Sequence, residues 1–339
     1  MRICSWRRTV VACRYNSQAL RIRVEKYMSL AFVFPGQASQ SIGMMSALAR
    51  VSPVITATFA EASGVLGYDL WQRCQEGPAE LLNSTECTQP AMLTAGVATY
   101  RLWRERGGAA PAMMAGHSLG EWSALVAAEF LDFKNAVDLV RYRGELMQAA
   151  VPNGEGGIAA ILGLEDADVE AACQEASQGE VVEAVNFNAP GQVVIAGLAT
   201  AVARAIEIAT AKGARRAMAL PMSVPAHSSL MEPAAEKLRI RLDDTPVAER
   251  SEIKVYGVDC KIHTSASDIR AGLVKQLPTP VYWAATVRTM ISAGATQIIE
   301  CGPGKVLTAL NRRIDKNRDL KMLALEDPPA FDEALAAVA

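Results

Sequence analysis

The chain has 339 residues, half of them hydrophobic, which suffices for one large domain or two unequal ones. Its seven cysteines form no C-x-x-C pair and its three histidines (His117, His227, His263) are scattered, so neither a zinc site nor a disulfide framework is suggested. Residues 1–27 carry six Arg and Lys26 against Glu25, leaving 27 basic and 35 acidic residues in the body, a net −8 that argues against nucleic acid as a partner.

No apolar run reaches the roughly 18 residues a membrane span needs. Ser123 to Phe133, the best candidate, is interrupted by Glu129 and Asp132. The Arg-rich, acid-poor segment 1–27 has two readings: a mitochondrial targeting peptide, or an upstream extension with Met28 as the working start. The second is favoured here, with a cytoplasmic location; the first makes the protein mitochondrial.

From Leu30 to about Ala150 short apolar runs alternate with helical periodicity. The run LAFVF reads as a strand, Ile55 to Leu66 and Ala91 to Arg106 as helices, Ala112 to Ala115 as a strand, and a further helix starts at Glu121. Such alternation predicts an α/β layer structure with a largely parallel sheet. Between Gly154 and Ser223 the order changes to strand, helix, strand, strand, helix, strand, the ferredoxin-like signature. The chain then returns to a helix at Pro233 to Leu242, a strand at Ile253 to Val258, a helix near Ser267 to Gln276 and a strand at Thr296 to Glu300. The expected architecture is one large hydrolase-like α/β domain, residues 28–153 and 224–339, interrupted by a small ferredoxin-like subdomain, 154–223. A cleft between them is the expected substrate site.

Gly116-His117-Ser118-Leu119-Gly120 follows a strand and precedes a helix, the context a G-x-S-x-G nucleophile elbow requires. The turn is too tight for side chains beside the serine, and the helix start sets backbone N–H groups beside Ser118. Serine needs a base, and imidazole is the usual one. His117 adjoins the nucleophile and is expected to pack or hydrogen-bond under the turn. His263, in KIHTSASD, reads as a solvated loop residue. His227, in SVPAHSSLMEP, lies where the chain re-enters the large domain beside the cleft and is the expected base.

Eight segments then resemble the malonyl-CoA:acyl carrier protein transacylase family, of the bacterial FabD type: FPGQASQSIGM, TQPAML, GHSLGE, RGELMQ, VNFNAPGQVVIAG, SVPAHSSLM, VKQLPTPVYW and ECGPGKVLTAL, in order over nearly the whole body. The resemblance implies Ser118 as acylated nucleophile and His227 as general base, its ring oriented by the backbone carbonyl at Gln276 rather than by a carboxylate. It places the oxyanion hole at Gln37 and the N–H of Leu119, and the hold on the malonyl carboxylate at Arg143, whose planar fork suits two parallel hydrogen bonds. Gln89, Asn186 and Asn188 are expected in the same cleft. Lys212, Arg215 and Arg216 fall where the family meets its acidic carrier protein.

The departures are Ala38 after Gln37, Ala226 and Ser228 around the histidine, and Tyr256-Gly257-Val258-Asp259 where an Asn-Asn-Val-Asp type run is usual. None is a proposed catalytic side chain. The implied activity is that of an [acyl-carrier-protein] S-malonyltransferase of fatty acid synthesis, using malonyl-CoA as substrate, with no metal or tightly bound cofactor, no nucleic acid or membrane partner, and a monomeric state. Two other classes compete: a serine hydrolase or thioesterase built on the same elbow, and an inactive carrier-docking module.

Overall fold

The computed structural model describes residues 29–152 and 154–338, so the reading of segment 1–27 lies outside the described residues. The strands in chain order are β1 (Ser29–Phe34), β2 (Met113–Gly116), β3 (Gly156–Leu162), β4 (Val182–Ala189), β5 (Gln192–Leu198), β6 (Arg216–Ala219), β7 (Lys254–Tyr256), β8 (Ala295–Glu300) and β9 (Lys321–Ala324). Strands β7-β2-β1-β8-β9 form a five-stranded sheet in which every pairing is parallel. Helices cover both of its faces, so its central strands read as continuous apolar runs.

Alternation along β1 divides the core. Phe32 and Phe34 enter one apolar cluster with Trp103 and Trp122, while Ala31 and Val33 enter another with Met113, Val281 and Trp283. Phe32 meets the Trp103 ring edge-on at 5.2 Å. Each such aromatic, fully buried, contributes about 1.5–3 kcal/mol by leaving water.

The remaining strands make a four-stranded antiparallel sheet in the order β4-β5-β3-β6. With the helices Asp166–Ser177 and Ala199–Ala211 they give the ferredoxin-like arrangement. The small sheet is sewn to the large layer by one bridge: Phe187 N–H donates to Val281 O at 2.9 Å, and Val281 N–H to Val185 O at 2.9 Å.

One boundary differs from expectation, and one helix is followed by another that the sequence pattern did not separate. The helix expected from Ala91 begins at Thr85, with Pro90 inside it, so Gln89 is helical and buried. The helix entered at Glu121 ends at Ala127, and a second, Phe133–Ala149, starts at Asp132, whose carboxylate accepts the Asn135 N–H at 3.1 Å. That second helix carries Arg143. Among the described residues no helix is long and apolar enough to cross a membrane.

Candidate active site

Ser118 occupies the corner between β2 and the helix Gly120–Ala127, with φ 52°. A non-glycine residue in the left-handed region costs about 1–3 kcal/mol, which the surroundings must offset. They do so by fit: a Cβ on Gly116 would lie 1.8 Å from the Gly120 carbonyl carbon, and one on Gly120 2.0 Å from Phe34 O. Only glycines allow the strand, turn and helix to approach this closely. Leu119, 1% exposed, begins the helix.

His227 sits in the loop after β6, 4% exposed, with φ 66°. Its loop is pinned from the small sheet, because Glu183 of β4 accepts Ser229 N–H and Oγ–H at 2.8 Å each. Ser118 Oγ and His227 Nε2 are 2.7 Å apart, and His227 Nδ1 lies 2.8 Å from Gln276 O. A carbonyl only accepts, so Nδ1 carries the proton and Nε2 offers its lone pair to the serine hydroxyl. Burial, with the charge of Arg143 second, lowers the His227 pKa to about 3, so the resting base is neutral.

Arg143 is 1% exposed and lies beneath Ser118. Its Nη1 donates to Gln89 Oε1 at 2.8 Å, and its Nη2 to Gln276 Oε1 at 2.9 Å and to Ser118 Oγ at 3.4 Å. Nε is buried without a hydrogen-bond partner among the described residues. Burial pulls its pKa down to about 10, with Glu121 opposing, and it stays charged at neutral pH.

Behind these groups lies a residue that sequence reasoning missed. Glu121, 1% exposed, accepts from Gln276 Nε2 at 2.8 Å and from Val258 N–H at 3.1 Å through Oε2, and its Oε1 lies 2.8 Å from His263 Nε2. Gln276 Nε2 also donates to Ser118 O at 3.1 Å. The available signal was an acid in the first turn of the otherwise apolar helix EWSALVAA. The expectation for His263 is corrected: it is a buried ring paired with Glu121, because its backbone N–H pairs with Val255 O at 2.9 Å and turns this one side chain inward while Lys261 and Thr264 stay exposed.

A cavity of about 210 Å³ opens onto Ser118 and His227, and Gln37, Asn186 and Asn188 line it. Gln37 follows β1 in a turn in which Ala38 has φ 81°. Asn188 Oδ1 is 2.8 Å from His117 Nε2, so it holds that ring under the elbow, while partly buried Asn186 faces the cavity. Val306, Leu307 and Leu310 add an apolar wall that sequence reasoning did not assign. Arg215 and Arg216 are exposed on the chain that runs through β6 to the cavity residues Leu220 and Met222. Lys212 is also exposed and pairs with Glu175 at 3.2 Å. A larger cavity of about 890 Å³, beside Tyr100 and Phe133, has no Ser, Cys or His in its lining. Its Arg101 is held by Glu61, and its Arg270 by the Leu242 and Thr245 carbonyls.

A strained serine at a strand-to-helix corner, bonded to a neutral buried imidazole over a parallel sheet, defines an α/β protein with a nucleophile elbow. The acyl transferase domain matches residues 31–324. The malonyl CoA-acyl carrier protein transacylase of Escherichia coli K12 is 53% identical over 305 residues, 90% of this chain and 98% of its own. Among solved structures, an acyl carrier protein S-malonyltransferase from Vibrio cholerae superposes with a TM-score of 0.87 at 50% identity, covering 90% of this chain and 99% of its own. A malonyl-transacylase in complex with its type II PKS acyl-carrier protein gives 0.89 at 50% identity, covering 91% and 99%. The chain belongs to the malonyl CoA-acyl carrier protein transacylase family.

Proposed function

We propose that this chain moves the malonyl group of malonyl-CoA to the phosphopantetheine thiol of acyl carrier protein through an acyl-Ser118 intermediate, in fatty acid synthesis. The observation that carries the reading is the 2.7 Å contact of Ser118 Oγ with His227 Nε2, beside a buried arginine 3.4 Å from the same oxygen. Nε2 takes the hydroxyl proton as Oγ attacks the thioester carbon. The C–S bond then breaks, and the proton passes from Nε2 to the departing CoA sulfur. The carrier thiol repeats the sequence in reverse: it loses its proton to Nε2 and attacks the acyl carbon, and the Oγ–C bond breaks as Oγ recovers a proton.

Gln37 and the N–H of Leu119 are the donors proposed for the tetrahedral oxyanion; losing one such donor costs roughly 10²–10³ in turnover. Arg143 is assigned to the malonyl carboxylate, a group that a hydrolase of neutral esters need not recognise. Asn186 and Asn188 line the acyl cleft, Asn188 also holding His117, while Gln89 acts behind it through Arg143. Lys212, Arg215 and Arg216 are the proposed steering charges for the acidic carrier. The reading calls for no resident metal or cofactor, no nucleic acid or membrane partner, and a cytoplasmic monomer, or a mitochondrial one should residues 1–27 be a targeting peptide.

The test is intact-protein mass after brief mixing with malonyl-CoA, followed by holo carrier protein. A malonyl adduct that is absent in Ser118→Ala and discharges onto the carrier supports the reading. Loss only to water supports a hydrolase, and no adduct on the wild type supports a docking module.

A further inference from the structure

We propose that His263 sets the acyl selectivity of this site: paired with Glu121, it neutralises the carboxylate behind Arg143 and so leaves the guanidinium charge free for a substrate carboxylate. The inference rests on the transferase reading and names a selectivity residue for it.

Every hydrogen-bond acceptor held by Arg143 is neutral, namely Gln89 Oε1, Gln276 Oε1 and Ser118 Oγ. The negative charge that acts on Arg143 is that of Glu121, one amide away across Gln276. A carboxylate has no proton to give, so Glu121 turns the Gln276 NH₂ toward itself and the Gln276 oxygen toward Arg143. That arrangement positions the arginine, but alone it would also compensate its charge in a low-dielectric site where such effects are large. The imidazolium of His263 on the far oxygen of Glu121 removes this competition.

The ring is seated by construction. A Cβ on Gly272 would lie 2.8 Å from His263 Cε1, and one on Gly257 3.3 Å, so two glycines form its slot. His263 N–H donates to Val255 O at 2.9 Å, which ties the ring to β7. The largest charges acting on it are acidic: Glu121 from the elbow helix, Asp268 from the helix Ala266–Gln276, and Asp259 from the loop after β7, the last paired with exposed Lys261 at 3.5 Å. Burial opposes the imidazolium, yet these acids, Glu121 foremost, hold its pKa above the ordinary imidazole value. Through that titration the protein passes from a site in which the Glu121 charge behind Arg143 is neutralised to one in which it is not.

The experiment measures second-order rate constants for Ser118 acylation by malonyl-CoA and by acetyl-CoA, by quenched-flow intact mass, from about pH 6 to 8.5, a range in which Arg143 keeps its charge. Both constants report the free enzyme's dyad and both thioesters share the CoA phosphates, so those titrations cancel in the malonyl-to-acetyl ratio. The wild-type ratio should fall by roughly three- to tenfold as pH rises through the His263 titration. In His263→Gln, which can still donate to Glu121 but carries no charge, the ratio should be low and flat across the range. A flat wild-type ratio overturns the proposal, as does a His263→Gln ratio equal to the wild type at pH 6 with only the melting temperature lowered. If the variant does not fold, the wild-type profile decides by itself. Absence of any acyl adduct on the wild type would instead overturn the transferase reading.

Discussion

The carbonyl of Gln276 accepts the Nδ1 proton of His227 at 2.8 Å, while the side chain of the same residue holds Arg143 Nη2 at 2.9 Å. One position thus serves base and carboxylate-binding group through separate atoms. Gln276→Ala keeps the carbonyl and removes the amide. It is expected to weaken malonyl-CoA acylation by about tenfold, the scale of one charge-assisted hydrogen bond, and acetyl-CoA acylation far less. Equal losses on the two thioesters would mean that the side chain only supports the backbone.

Arg143 also suppresses the basicity of His227, second only to burial. Since the base must be unprotonated to accept the serine proton, Arg143→Ala should raise the His227 pKa. The acid limb of acetyl-CoA kcat/KM should therefore move to higher pH, while the preference for malonyl-CoA is lost. A pH profile for acetyl-CoA on both proteins checks this. An unmoved limb would show that Arg143 and His227 are electrostatically independent.

At the elbow, Gly120→Ala drives a Cβ to 2.0 Å from Phe34 O, a collision with backbone that cannot rotate away. A loss of at least about 1–3 kcal/mol is expected, with acylation falling further because Ser118 shifts. Gly64→Ala is the control. It lies in the helix Pro53–Leu66 with nothing within 4 Å of the added carbon, and it should gain about 0.5–1 kcal/mol. Chemical denaturation of both variants decides; similar effects would remove the steric argument.

Burial, the largest single influence on His263, lowers its pKa, but Glu121, Asp268 and Asp259 together outweigh that cost and raise it in the folded state. The folded protein therefore binds a proton that the unfolded chain releases at lower pH. This contribution to stability is fully present below the ordinary imidazole pKa and is lost as pH rises through the raised value. His263→Gln should flatten that part of the melting-temperature profile, while the acid side, where His227 resists protonation down to about 3, keeps its slope. A wild-type profile with no alkaline decline relative to the variant would contradict the ion pair.

The elbow was legible because a strand pattern, two glycines and a helix pattern meet within a few residues around Ser118, and local geometry alone demands that order. His227 was legible through its place where the small unit rejoins the large layer. Arg143 and Gln276 could be named only through the family resemblance, since no local pattern announces that a guanidinium on a helix beside polar Arg141 will be buried. Glu121 and His263 escaped because their meaning is mutual. A lone acid in a first turn reads as a dipole partner, and a histidine among Ser, Thr and Lys reads as solvated, until the loop after β7 brings 121 and 263 together. The start of the helix Thr85–Glu105 was less legible, because Pro90 and the polar residues before it interrupt the apolar periodicity that begins at Ala91.

The short strap from Gln276 to Val281 has a structural consequence. At one end its carbonyl fixes the tautomer of the base, and at the other its backbone pairs with β4, the strand that bears Asn186 and Asn188. Floor and wall of the cleft are cut from one piece of chain. The acceptor that sets the imidazole and the pairing that joins the two layers are thus covalently coupled, only five residues apart along the chain.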